Sequence, residues 1–150
     1  FWPSHARARA QTFWIWLKLS STGVSRPKIS TRALTLWDSA LISVIVACTT
    51  PDMFATPGSL AAFERVRAKA KLTRYGGDFY AYCLLPMGLI DVVIESSLKA
   101  WDVQALIPIV EGAGGTLTSW DGGRCDEGGD VVACGDPALA PEVRALLAGR

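Results

Sequence analysis

From residue 41 onward, short runs of β-branched and apolar residues alternate with stretches whose apolar positions recur at helical spacing. This alternation restricts the chain more than any other feature, because strand–helix–strand repeats bury both sets of apolar faces only in a layered α/β architecture. Leu41–Cys48 (LISVIVAC) reads as an interior strand. Thr56-Pro57 starts a helix, with a capping hydroxyl followed by proline at the first helical position. Leu60, Phe63, Val66 and Ala70 form its apolar stripe, opposite Glu64, Arg65, Arg67 and Lys69. Arg74-Tyr75-Gly76-Gly77-Asp78 reads as a glycine hinge leading into a second helix from Phe79 to near Met87. Ile90–Glu95 is a strand ending on a carboxylate. Trp101-Asp102 opens a third helix that runs to about Ala113, bent by Pro108 and stopped by Gly114-Gly115. Strands at Thr116–Trp120 and Val131–Cys134 follow, and Asp136-Pro137 starts a last helix that Gly149 closes.

Composition excludes several functions. Half of the 150 residues are apolar and 19% are charged, the balance of a folded globular chain. Net charge is +1, but residues 1–50 hold six Lys/Arg against the single acid Asp38, and the remainder is acidic. A nucleic-acid face over residues 7–37 would need a denser basic stripe, so no nucleic-acid partner is expected. No apolar run approaches the ~18 residues of a membrane span, so no membrane partner is expected. Phe13–Leu19 follows Arg7 and Arg9 as a signal-peptide core would, but Lys18 interrupts it. With His5 the sole histidine, Ser–His–Asp and Cys–His mechanisms are improbable, and the well-separated Cys48, Cys83, Cys125 and Cys134 form no zinc pattern. Four reduced thiols in a cytoplasmic protein is the expectation.

The remaining chemistry lies in acids at element ends: Asp78, Glu95 and Asp102. A carboxylate beside the unpaired N–H groups of a helix start stays ionised and makes a hard oxygen ligand for Mg²⁺. Each also has a purely structural reading. Asp102 would be an N-cap worth about 1 kcal/mol, Glu95 a solvated rim residue, and Asp78 a turn residue. Gly112-x-Gly114 is no dinucleotide fingerprint, Asp121–Asp130 lacks the ligand order of an EF-hand, and neither a Walker A sequence nor a GxSxG elbow occurs.

Trp101-Asp102-Val103-Gln104-Ala105, continuing through Pro108-Ile109-Val110-Glu111-Gly112-Ala113-Gly114-Gly115, resembles the C-terminal signature of the inositol monophosphatase superfamily. Thr50-Pro51-Asp52-Met53-Phe54, Phe63-Glu64-Arg65-Val66 and Arg74-Tyr75-Gly76-Gly77-Asp78 with Tyr80-Ala81-Tyr82 resemble its histidinol-phosphate phosphatase branch. The likeness covers roughly residues 49–150, with Arg26–Arg32 (RPKISTR) a blurred continuation. It implies a layered αβαβα fold and Mg²⁺-dependent hydrolysis of a small phosphorylated metabolite by a metal-activated water, without a covalent intermediate. The substrate it implies is histidinol phosphate, in histidine biosynthesis. An inositol phosphate or a related sugar or nucleotide phosphate is the alternative. By position, Asp102 would be a metal ligand beside the substrate, and Glu95 would contact the organic part. Gly76, Gly77 and Asp78 would line the pocket opposite the phosphate, and Arg74 would contact phosphate or substrate.

The family's other metal ligands come from an N-terminal glutamate and an Asp-Pro-Ile/Leu-Asp-Gly-Thr segment, and residues 1–50 hold neither. The expectation is therefore a truncated chain. Residues 26–150 would form the C-terminal half of the fold, and residues 1–25, unassigned, would be non-native or disordered. A homodimer is possible on this view, as is a catalytically inactive remnant or assembly module.

Overall fold

The computed structural model describes residues 39–149. The expectations for residues 1–25, for Phe13–Leu19, for Arg26–Arg32 and for Asp38 lie outside the described residues. Elements follow in the order β1 (Ile45–Ala47), α1 (Pro57–Arg67), β2 (Leu72–Arg74), α2 (Phe79–Leu84), β3 (Val92–Lys99), α3 (Ala100–Val103), α4 (Leu106–Gly112), β4 (Thr116–Ser119), β5 (Gly128–Cys134) and α5 (Ala140–Leu147). The five strands form one mixed sheet in the order β2-β1-β3-β5-β4. β1 runs parallel to β2 and to β3, and β5 runs antiparallel to β3 and to β4.

Each face of the sheet buries a separate apolar cluster. Val46, Val92, Ile94, Val132 and Cys134 point toward α1 and α5, packing with Phe63, Val66, Val143 and Leu147. Their sequence neighbours Ala47, Val93, Val131 and Ala133 point to the opposite face, against α2, α3 and α4 through Tyr82, Val103, Leu106 and Val110. The period-2 alternation of the strands thus yields three layers, helix–sheet–helix. Phe54 stacks on Phe63 with centroids 4.5 Å apart. A buried Phe of this kind contributes about 1.5–3 kcal/mol over its exposed state.

Several boundaries differ from the sequence reading, each for a local reason. The run Leu41–Cys48 is not one strand. The Ser39 hydroxyl accepts from the Leu41 N–H at 3.2 Å, closing a 3-10 turn over Ala40–Ser43, and only Ile45–Ala47 pairs in the sheet. The third helix is two pieces. Proline at position 108 has no N–H for the Gln104 carbonyl and crowds it, so the helix breaks at Gln104-Ala105 and restarts at Leu106. The second helix ends at Leu84, before Pro86, and not near Met87. Strand β2 falls just before the hinge, where the sequence reading places no element, and β3 extends four residues past Glu95. The two proline starts hold: Thr56 and Ser59 cap the first turn of α1 reciprocally, and Asp136 caps the turn that leads into α5.

Candidate active site

Asp78, Glu95 and Asp102 come from three different elements, and all line one cavity of about 620 Å³. Asp78 is the N-cap of α2, its Oδ1 accepting from the Phe79 N–H at 2.8 Å. Its backbone takes φ 46° and ψ −145°, a region that glycine favours. Asp102 is the third residue of α3 and not its N-cap. Lys99 holds the cap position, and Asp102 reaches back to accept the Lys99 N–H at 2.8 Å. One carboxylate oxygen of Asp102 is thereby engaged.

Glu95 is not the rim residue that a strand end suggests. It lies mid-strand on β3, only 3% exposed. Its Oε1 accepts from the Thr49 N–H at 3.2 Å and from the Thr49 hydroxyl, and its Oε2 accepts from the Tyr82 hydroxyl at 3.0 Å. Burial pushes the Glu95 carboxyl above its ordinary range, the hydrogen bonds from Thr49 and Tyr82 pull it back, and the charge of Asp78 adds to the rise. The same desolvation, with the charge of Glu95 beside it, lifts the Tyr82 hydroxyl well above the usual tyrosine range.

Thr49, Tyr82, Leu98 and Trp101 also line the cavity; the sequence marks Tyr82 and Trp101 only as parts of family motifs and gives none of the four a role in the site. Parallel pairing of Ala47 with Val93 sets Thr49 beside Glu95 two residues further along, and Tyr82 sits one helical turn after Asp78. The first relation is not visible before the strand register is known, whereas the second is a helical spacing within one segment. The cavity wall also includes Phe79, Trp101 and Ile109. Trp101 is 78% exposed at the rim.

Arg74, Gly76 and Gly77 are not part of the lining. Arg74 is exposed, and its carbonyl accepts from the Cys48 N–H at 3.0 Å within the sheet. The Gly76 N–H donates to the Thr49 carbonyl at 2.9 Å, and a Cβ on Gly77 would stand 2.9 Å from that of Ala81. These two glycines shape the turn that delivers Asp78.

Among the described residues, three acids and no Lys, Arg or His line the cavity. A bare phosphate would meet only like charge there, whereas an ammonium or imidazolium group would meet opposite charge. The described residues do not by themselves fit a Mg²⁺ site. Asp102 offers one unengaged oxygen, and among the described residues no group of three or more His, Cys, Asp or Glu is placed to hold a metal ion. Among them, too, no helix is long and apolar enough to cross a membrane.

The model of the inositol monophosphatase family matches residues 12–148. The chain is 42% identical over 111 residues to a bifunctional phosphatase, IMPL2, chloroplastic, of Arabidopsis thaliana, an alignment spanning 74% of this chain and 31% of that protein. It is 39% identical over 80 residues to a histidinol-phosphatase of Mycobacterium tuberculosis, spanning 53% of this chain and again 31% of the relative. A solved inositol monophosphatase from Zymomonas mobilis superposes with a TM-score of 0.69 at 36% identity, over 72% of this chain and 43% of that one. The chain thus spans under half the length of the proteins it matches. The mixed sheet with helices on both faces is the fold expected from the sequence resemblance. The chain belongs to the inositol monophosphatase family.

Proposed function

We propose that this chain forms the alcohol-binding side of a phosphatase that hydrolyses small phosphate monoesters, with histidinol phosphate as its substrate. The observation that carries the reading is the convergence of Asp78, Glu95 and Asp102 on a cavity that holds no basic side chain among the described residues. Histidinol carries an ammonium group and an imidazole, which suit these acids and the aromatic wall of Phe79, Tyr82 and Trp101. The name histidinol-phosphatase among the relatives supports the same substrate. Inositol offers hydroxyls alone and would leave the charge of Glu95 uncompensated.

In this reading the chain's own residues bind and orient. Thr49 and Tyr82 hold the Glu95 carboxylate with one side open to the cavity, and Asp78 supplies a second acceptor on the same wall. Each charge-assisted hydrogen bond to the ligand contributes about 1.5–3 kcal/mol. Mg²⁺ is the family's cofactor and supplies the activated water when bound. Asp102 would give it one carboxylate oxygen, with the remaining ligands coming from outside residues 39–149. A single described metal ligand is also what favours the second reading, a chain that binds ligand without turnover.

Phosphate release from histidinol phosphate and from inositol 1-phosphate, with and without Mg²⁺, tests the proposal. Turnover that prefers histidinol phosphate and disappears in Asp102→Asn supports it. A preference for inositol 1-phosphate overturns the substrate, and L-histidinol binding without turnover selects the second reading.

A further inference from the structure

Glu95 and Leu98 both line the cavity although they are three residues apart on one strand. In a regular strand such residues face opposite sides of the sheet. The register of β3 against β5 explains how they share a face. Glu95 pairs with Val131 and Leu98 with Gly129, so Ser96 and Ser97 of β3 stand opposite Asp130 alone on β5. Two residues against one is a β-bulge, and it resets the alternation so that Leu98 turns toward the cavity. Ser97 adopts φ 64° to make it, a left-handed conformation that a serine takes at a cost.

One side chain holds the bulge. Oδ1 of Asp130 accepts from the Ser96 hydroxyl at 2.5 Å and from the Ser97 N–H at 3.2 Å, gripping both extra residues at once. Asp130 is itself outside the cavity lining. Past the bulge the ladder resumes with Leu98 opposite Gly129 and continues with Lys99 opposite Gly128, and the Lys99 N–H is the donor that holds the Asp102 carboxylate.

We infer that Asp130 is a positioning residue: by clamping the Ser96-Ser97 bulge it sets where Asp102 stands relative to Glu95, and so governs binding of one ligand by both. The inference rests on the reading that these two acids face the same ligand.

Two variants and two measurements test it. Asp130→Ala removes both bonds, whereas Asp130→Asn keeps an oxygen that accepts them. Amide hydrogen exchange reads the clamp without any ligand. In Asp130→Ala the Lys99 N–H is expected to lose protection by about tenfold, the Cys48 N–H between β1 and β2 to keep its own, and Asp130→Asn to restore Lys99. Calorimetric titration with L-histidinol reads the consequence, an affinity about tenfold weaker in Asp130→Ala and recovered in Asp130→Asn. Unchanged Lys99 protection overturns the inference, as does wild-type L-histidinol affinity in Asp130→Ala. If the unaltered chain binds no L-histidinol, the ligand reading fails and Lys99 exchange alone decides the clamp. Should Asp130→Ala not fold, Ser96→Ala, which removes one of the two bonds, is judged by the same Lys99 readout.

Discussion

The Tyr82 hydroxyl donates to Oε2 of Glu95 at 3.0 Å where neither residue is more than 3% exposed. With the two donors from Thr49 on Oε1, three hydrogen bonds hold this carboxylate, out of about four that its oxygens accept. Each donor favours the charged form that desolvation disfavours, and desolvation is the larger effect, so the carboxyl stays above its ordinary range.

Removing a donor therefore tips the balance toward the neutral acid. Tyr82→Phe keeps the ring that fills the core and deletes one bond that lowers the Glu95 pKa, which already lies above its ordinary value. The carboxyl then titrates at higher pH. A cationic ligand binds the ionised form, so L-histidinol affinity, which falls as pH drops through the folded-state pKa of Glu95, is expected to fall at a higher pH in the variant. Thr49→Val removes the larger of the two side-chain contributions and should move the profile further. Calorimetric titrations across the acid range check both; superimposable profiles would count against Glu95 as the cation's partner.

Asp78 exchanges stability for placement. Its φ of 46° with ψ of −145° costs a non-glycine residue about 1–3 kcal/mol, while glycine at an N-cap sacrifices only a few tenths. Asp78→Gly is expected to raise the thermal midpoint by roughly 2–4 °C per kcal/mol recovered and to weaken L-histidinol binding by about tenfold. A thermal melt and a calorimetric titration on the same preparation read the two opposed effects.

How far this site is legible in the sequence depends on the range of the interactions that build it. The caps at Thr56 and Asp136 act within three residues and are visible directly. The three acids are marked by their positions near element ends and by the family signature around Trp101-Asp102. The state of Glu95 is not visible, since its donors lie 46 and 13 residues away and meet it only once β1 and α2 are placed. The same holds for β3. Glu95 reads as the end of a strand because the residue that carries the strand on through Ser96-Ser97, Asp130, comes from another strand. Strand β2 escapes notice because three residues at a sheet edge, mostly exposed, show no alternation.

The four cysteines should differ sharply in reactivity. Burial pushes Cys48 and Cys134 up to about 12 and Cys125 to about 11, so their thiolates are scarce at pH 8. Cys83 is also raised by burial, but it is the least enclosed of the four and lines the cavity beside Tyr82. Iodoacetamide on the native chain at pH 8 is expected to modify Cys83 first and slowly, and L-histidinol at saturating concentration to protect it. Mass spectrometry of the digested protein assigns the site; first modification at Cys125 or Cys134 would contradict the packing described.

Two adjacent glycines at the start of β5 separate backbone strain from steric fit. Both have positive φ, 87° at Gly128 and 93° at Gly129. A Cβ on Gly129 meets no atom within 4 Å, whereas one on Gly128 would stand 2.3 Å from the Leu98 carbonyl oxygen and 2.7 Å from the Lys99 carbonyl carbon. Gly129→Ala therefore carries only the conformational cost, about 1–2 kcal/mol. Gly128→Ala adds an overlap with backbone that cannot swing aside, for a total of roughly 2–5 kcal/mol. The two effects also differ in where they act. The segment that must retreat from the methyl group added at Gly128 is Leu98-Lys99, where Leu98 lines the cavity and the Lys99 N–H holds Asp102. Denaturant unfolding should rank Gly128→Ala well below Gly129→Ala. L-histidinol binding under folded conditions should be lost in the first and kept in the second, since only the first moves the end of β3.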